Sequence, residues 1–394
     1  MRIGMILCKP YPSDIRVEKE IRSLTGAGHD LFVLAERRDK EPKNEQVLGA
    51  IVNRYAPPRP FRRRLDWIHF QTSFRSSFWR NRIRNFVKRN SLEVLHVHDL
   101  PFVGTTLDIA KEFDIPVVAD MHENYPAAKQ LWSEGSRDPL VWFGDDYRRW
   151  DRYEREILPL ANEVITVVDE AAERLEKSGT VASNQMTIVM NVEEKSWFDD
   201  LASSNRIDDD ILRIVYVGGV RPHRGLDIVI KALSELPNEH KVLLKIVGAR
   251  GDYASELVKF ARDIGVGERV ELVEWIPLEE VPNTILECDI GIIPHKKHPH
   301  TDATIPHKLF QYMLASRPVI VSNCRPLERI VNETKAGIVF ESGNPSDLLE
   351  KMLRLITNPD LCLELGSNGR EASMGYYSWE IEGQKLVDLY NKFL

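Results

Sequence analysis

Arg221 and Arg224 stand three residues apart in VGGVRPHRG (Val217–Gly225), between an apolar run and an amphipathic one. On a turn, that spacing lets both guanidiniums reach one pyrophosphate, and arginine supplies bidentate, permanently charged donors for it. Gly218 and Gly219 let the backbone approach a ligand closely. A further cation, Lys308, falls in the first turn of a helix expected between two apolar strands, Ile290–Pro294 and Val319–Ser322. Pro306 suits that first turn, and Leu309/Met313 and Phe310/Leu314 repeat at i, i+4. A helix opening above strand tips aims free N–H groups and a positive dipole end at whatever sits there, and phosphates bind at such places. Thr304, Ile305, His307, Lys308 and Leu309 are therefore candidate anion-site residues. His122, in VVADMHENY, and the pair His98–Asp99 close two other apolar runs, again at expected strand tips. His96 and His98 alternate along their strand and must share one face, with Val97 on the other. The competing reading is structural: arginines capping a helix, a solvated lysine, and histidines satisfied within a core.

The elements that must position these residues are parallel strands joined by crossover helices, since strand and helix patterns alternate throughout. Strands are expected at Arg2–Cys8, Asp30–Ala35, Ala50–Tyr55, Val94–Val97, Pro116–Ala119, Glu163–Val168 and Met186–Val189. A second series covers Ile214–Val217, Val242–Val247, Val270–Glu274, Asp289–Ile293, Val319–Ser322 and Gly337–Phe340. Between the series the chain turns polar and acidic near Asn191–Asp210, which reads as a linker. At 394 residues and 43% apolar content the chain is long enough for two full cores. Four scattered cysteines (Cys8, Cys288, Cys324, Cys362) without a C-x-x-C pair argue for a reduced compartment and against a disulfide scaffold. With no apolar run of transmembrane length and no secretory leader, the expectation is a soluble, cytoplasmic protein.

Charge adds one qualification. The net charge of −7 hides a reversal at Arg59–Asn90, where ten Lys or Arg face one Asp and seven aromatics are interleaved. Phe70, Phe74 and Phe78 fall at i, i+4, i+8, the spacing of one helix stripe. A basic amphipathic helix with aromatic anchors is what docking on an anionic membrane surface requires; a plain helix packed through its phenylalanines is the alternative. Nucleic acid is not expected as a partner, because no recognition motif accompanies the charge and the rest of the chain repels phosphate. His295, His298, His300 and His307, with Asp302, crowd one segment, but their spacing fits no defined metal site. No metal or cofactor is expected.

The order of motifs carries a resemblance. D-x-R-V-x-K-E (Asp14, Arg16, Val17, Glu18, Lys19, Glu20), H-x-H-D (His96, His98, Asp99), D-x-H-E (Asp120, His122, Glu123), the arginine turn and P-x-K-L-F-x-Y-M-x-A together resemble the family-4, GT-B retaining glycosyltransferases of the group 1 type. The resemblance implies an α/β fold of two Rossmann-like domains facing across a cleft, with the C-terminal helix crossing back to the first. It divides the chain into an acceptor domain (1–195), a nucleotide-sugar domain (196–377) and a returning helix (378–394). It implies a sugar moved from a nucleoside-diphosphate donor, UDP by default, to a glycan or lipid-linked acceptor, with retention and without a metal. Arg221 and Arg224 would take the diphosphate, His122 would lie beside the transferred sugar, and Asp14, His98 and Asp99 would face the acceptor. Gln311 would hold the ribose, and Gly248 and Trp275 would frame the base.

Two departures from the family pattern bear on activity. Two glutamates separated by seven residues are usual on the opening segment, and here those places hold Ala303 and Gln311. The glycine-rich loop after the first strand is replaced by Lys9-Pro10-Tyr11-Pro12-Ser13. The departures keep two alternatives open, a nucleotide-sugar-binding protein without turnover and a sugar-nucleotide epimerase of the same fold. The epimerase would need acidic residues in the cleft, and such a set is not apparent.

Overall fold

A computed structural model of the protein describes residues 1–12, 14–38, 40–133, 144–198 and 210–394. Most of the expected linker, with Asp208 and Asp209, lies outside the described residues, as does Ser13. The chain forms two compact units, one of Met1–Met190 with Glu382–Leu394, the other of Asn191–Ile381.

The first unit holds one sheet of β1 (Arg2–Pro10), β2 (Asp30–Glu36), β3 (Asn44–Val47), β4 (Ala50–Tyr55), β5 (Val94–His98), β6 (Val117–Met121), β7 (Glu163–Thr166) and β8 (Met186–Ile188). Their order is β3-β4-β2-β1-β5-β6-β7-β8, parallel throughout except that β3 runs antiparallel to β4. Its helices are α1 (Ile15–Gly26), α2 (Pro60–Ser73), α3 (Ser77–Asn90), α4 (Val103–Phe113), α5 (Tyr125–Ser133), α6 (Tyr147–Ile157) and α7 (Asp169–Lys177). Every residue of β5 and β6 is buried, as expected of central parallel strands covered on both faces. β3 was not expected: three of its four residues are polar and exposed, and the hairpin is made by Leu48 (φ 52°) and Gly49 (φ 86°). Two successive positive φ values define the tight turn that suits strand twist.

The second unit holds β9 (Leu212–Val217), β10 (Val242–Val247), β11 (Val270–Val273), β12 (Ile290–Ile293), β13 (Val319–Ser322) and β14 (Gly337–Phe340). All pair in parallel, in the order β11-β10-β9-β12-β13-β14. The helices are α8 (Leu226–Glu235), α9 (Asp252–Asp263), α10 (Val281–Leu286), α11 (His307–Leu314), α12 (Arg325–Thr334), α13 (Pro345–Ile356) and α14 (Pro359–Met374). The order reverses between β9 and β12, and ligands of open α/β sheets bind outside the strand ends at such a switch point. The last helix, α15 (Trp379–Asn391), belongs to the first unit from Glu382 onward. There Leu386, Leu389 and Tyr390 are buried, and the Glu382 carboxylate accepts from Met190 N (2.9 Å).

The expected aromatic stripe is corrected. Phe74 takes a left-handed conformation (φ 51°) and ends α2, and Ser76 caps a separate α3. Phe70, Phe74 and Phe78 therefore do not share one helix. Phe74 stacks on Tyr153 (4.2 Å between centroids) and meets Trp150 edge-on, while Phe70 and Phe78 pack on the core. The exposed apolar set lies instead on α2: Phe61, Leu65, Trp67 and Ile68, beside Arg62, Arg63 and Arg64.

Candidate active site

In the second unit the arginine turn follows β9 and the helix-opening segment follows β12, so both stand at the switch point. Gly225 (φ 72°) is pressed against the end of β12, since a Cβ there would meet Pro294 O at 1.9 Å. This close approach sets Arg224 beside the segment 295–307. Arg224 Nη1 donates to His295 Nε2 (3.1 Å). Lys308 is buried at 9% exposure, its Nζ 3.5 Å from the centre of the Tyr216 ring and close under Gly218. Among the described residues no carboxylate pairs with it. Burial, then the nearby Arg224 charge, holds its ammonium well below the usual lysine range. The imidazoles around it stay neutral for the same reasons: burial and Arg224 push His223 and His300 down to about 3, and His295 well below its ordinary value. A buried cation, an arginine and a ring of neutral histidines make a site whose missing charge is negative.

Two expectations for this segment change. The helix opens at His307, two residues after Ile305, because Pro306 is extended (ψ 138°) and acts as the N-cap. Thr304 is extended as well (φ −149°), so Thr304–Pro306 are not its first turn. Leu309 and Ile305 are fully buried, and their side chains serve packing. Gln311 is also buried, and its amide donates to Glu193 Oε1 (2.9 Å), an oxygen that lies 3.3 Å from His307 Nδ1. Glu193 is a carboxylate that sequence reasoning missed, since it sits outside every motif. Arg221 is exposed on extended backbone (φ −147°). Trp275 is 58% exposed with Arg250 over its ring (5.6 Å), and Gly248 (φ 98°) approaches Gly218 O so closely that a Cβ would lie 2.7 Å away. The crowded histidines form no shared metal site among the described residues: His298 accepts from His300 N, and Asp302 accepts from Arg325 N.

In the first unit the strand tips of β5 and β6 converge as the alternation of His96 and His98 requires, the two rings stacking at 4.4 Å. His122 Nε2 lies 2.7 Å from Asp120 Oδ2, and His122 Nδ1 lies 3.6 Å from Asp99 Oδ1. Burial alone would lower the His122 pKa, but the charges of Asp120 and Asp99 outweigh it and push it up to about 9. Asp99 holds a left-handed φ of 65°, a strained state for a residue with a side chain, and its N–H donates to Asp120 O. Asp14 caps α1 at Val17 N and pairs with Lys9 (2.8 Å), which holds its carboxyl low against the effect of burial. His98 is a correction: at 1% exposure it faces Glu20 and Asp120, so it supports His122 and cannot meet an acceptor. Behind it Arg16 donates to both Asp120 oxygens (3.2 and 3.0 Å) and pairs with Glu20 (2.9 Å). This network was legible only as motif letters; the i, i+4 step from Arg16 to Glu20 and the i, i+2 step from Asp120 to His122 were its signals.

Both constellations lie mainly within stretches that match family models. Residues 15–192 match the model described as Glycosyltransferase Family 4, and residues 198–372 match that of Glycosyl transferases group 1. The two matches span nearly the whole chain, and the protein belongs to the group 1 glycosyltransferases. A protein of Methanocaldococcus jannaschii named as an uncharacterized glycosyltransferase is 29% identical over 169 residues, which are 42% of this chain and 44% of that relative. This match therefore spans less than half of the relative's own length. In fold, sucrose-phosphate synthase from Thermosynechococcus elongatus superposes with a TM-score of 0.75 at 17% identity, covering 99% of this chain and 98% of that one. Anabaena HepE in complex with UDP-glucose superposes with a TM-score of 0.72 at 12% identity, covering 99% of each.

Proposed function

We propose that the protein transfers a sugar from a nucleoside-diphosphate donor to an acceptor hydroxyl, with retention at the anomeric carbon. The observation that carries this reading is the Lys308–Arg224 pair at the switch point, an unmatched double cation poised for a diphosphate. The HepE complex with UDP-glucose supports a uridine donor as the first to test. In the proposed step the bond from C1 to the β-phosphate oxygen breaks, and its electron pair goes to the diphosphate. Lys308, Arg224, the exposed Arg221 and the N-terminus of α11 stabilise that charge, so no metal is called on for it. The acceptor oxygen bonds to C1 from the same face, and its proton passes to a β-phosphate oxygen. His122, held as a cation by Asp120 and Asp99, is assigned to orienting the sugar. The test is calorimetric titration with UDP, GDP, ADP and CMP in metal-free buffer, repeated on Arg221→Ala/Arg224→Ala. Tight binding of one nucleotide that the double variant loses supports the donor site; no binding of any of them overturns it.

For the acceptor, the proposal is a glycan or lipid-linked molecule met at an anionic membrane surface. It rests on α2, whose exposed Phe61, Leu65, Trp67 and Ile68 accompany Arg62, Arg63 and Arg64. No helix among the described residues is long and apolar enough to cross a membrane, so attachment would be at the interface. Each basic residue near such a surface contributes about 1 kcal/mol. Changing the three arginines to glutamine should then weaken pelleting with anionic vesicles about a hundredfold and leave nucleotide binding unchanged. Equal pelleting of both proteins would remove the surface from the reading.

A further inference from the structure

Behind His122, four side chains from three elements converge on one buried point. Glu20 comes from α1, His96 and His98 from β5, and Asp120 from β6; all are 0–1% exposed, and one ligand atom of each lies within 4.8 Å of all the others. Glu20 Oε2 is 3.9 Å from both His96 Nε2 and His98 Nε2, and His96 Nε2 is 3.5 Å from Asp120 Oδ2. The two 3.9 Å gaps are too long for hydrogen bonds, and the 3.5 Å one is at the limit. Glu20 Oε2, His96 Nε2 and His98 Nε2 accordingly have no hydrogen-bond partner despite complete burial.

The surroundings also fix which atoms point inward. His96 Nδ1 is engaged by Tyr390 OH at 2.7 Å, and His98 Nδ1 by His122 Nε2 at 3.2 Å, so in each ring Nε2 is the nitrogen left without a hydrogen-bond partner. Arg16 donates to both Asp120 oxygens, lies 2.9 Å from Glu20 Oε1 and also donates to Val189 O (2.9 Å). Metal-binding histidines have this arrangement, one nitrogen on the ion and the other anchored by an outer partner. Zinc takes nitrogen and carboxylate ligands at about 2.0–2.2 Å, which spaces neighbouring ligand atoms about 3.3 Å apart around a tetrahedron. The gaps of 3.5–3.9 Å exceed that, and the four ligand atoms, all within 4.8 Å of one another, would have to draw inward around an ion.

We propose that Glu20, His96, His98 and Asp120 bind one first-row divalent cation of the zinc class as a cross-link between α1, β5 and β6. The sequence led us to expect no metal; this ion would be structural, and no step of the proposed transfer passes through it. It would fix Asp120, and through it the orientation of His122. The rival occupant is a bridging water.

The test is metal analysis of the full chain, purified without a metal-affinity step from zinc-supplemented culture. About one zinc per chain is expected, together with a fall of several degrees in melting temperature on chelation that zinc restores. Cobalt added to the stripped protein should give the visible bands of tetrahedral coordination. Because His298 and His300 are a second imidazole source, His298→Gln/His300→Gln should keep the metal and His96→Gln/His98→Gln should lose it. Should the latter fail to fold, Glu20→Gln, which keeps the shape and removes a charge, should bind zinc at least tenfold more weakly. Below a tenth of a metal per chain with no thermal response to zinc, or stoichiometry lost with His298 and His300 instead, would overturn the site.

Discussion

Lys308→Met raises the melting temperature of the free protein while weakening diphosphate binding at least a hundredfold. The two effects have one cause. Lys308 is buried against Tyr216 with no carboxylate partner among the described residues, so its charge costs stability until an anion arrives. Replacing a buried charge by an apolar side chain of similar length is neutral or stabilising by about 1–4 kcal/mol. At about 2–4 °C per kcal/mol for a unit of this size, a gain of several degrees is expected. The same substitution leaves the diphosphate without a desolvated cation, a loss of about 3 kcal/mol or more. The depressed ammonium also fixes the pH dependence. Binding an anion restores the lysine toward its ordinary pKa, so between the free and bound values the complex takes up a proton. Affinity should therefore fall as pH rises through that window, and calorimetry in buffers of different ionisation heat should show the uptake. A variant that loses stability and keeps its affinity would mean that Lys308 is only a packing residue.

Much of this site was readable because its signals are local. Apolar runs followed by glycine, arginine or histidine mark strand tips in any parallel sheet, and both sheets end where Val217, Pro294, His98 and His122 indicated. Ala50–Tyr55, Val242–Val247, Val319–Ser322 and Gly337–Phe340 coincide with their expected bounds. What escaped depended on long-range or single-residue events. The helix break at Phe74 turns on one left-handed residue that a phenylalanine does not advertise. β3 has no hydrophobic pattern, since it is an exposed edge formed by a two-residue turn. Glu193 reaches Gln311 across 118 positions of chain and Tyr390 reaches His96 across 294, so no spacing rule couples them. His98 was expected to face the acceptor because the strand tip was legible but its depth was not: Glu20 of α1, Asp120 and the His96 ring enclose it.

That depth is what gives Asp120→Asn its expected effect, a loss of about 3–5 kcal/mol in the first unit. Asp120 is fully buried, and it answers Arg16, itself 3% exposed, through both oxygens, as well as His122. The Arg16 and His122 charges keep its carboxyl ionised despite burial, which favours the neutral form. Asparagine has the same shape but no charge, so the variant takes from a buried guanidinium the carboxylate that binds it through both oxygens. The transition of the first unit should then fall by roughly 10 °C. Arg16→Met in the same background should recover part of the loss, because removing both charges is far less costly than removing one. Measured with chelator present, the cycle isolates the ion pair from the metal proposed beside it. Additive losses from the two substitutions would mean that Arg16 and Asp120 do not depend on each other, and that the motif D-x-R and the motif D-x-H-E are held apart by packing alone.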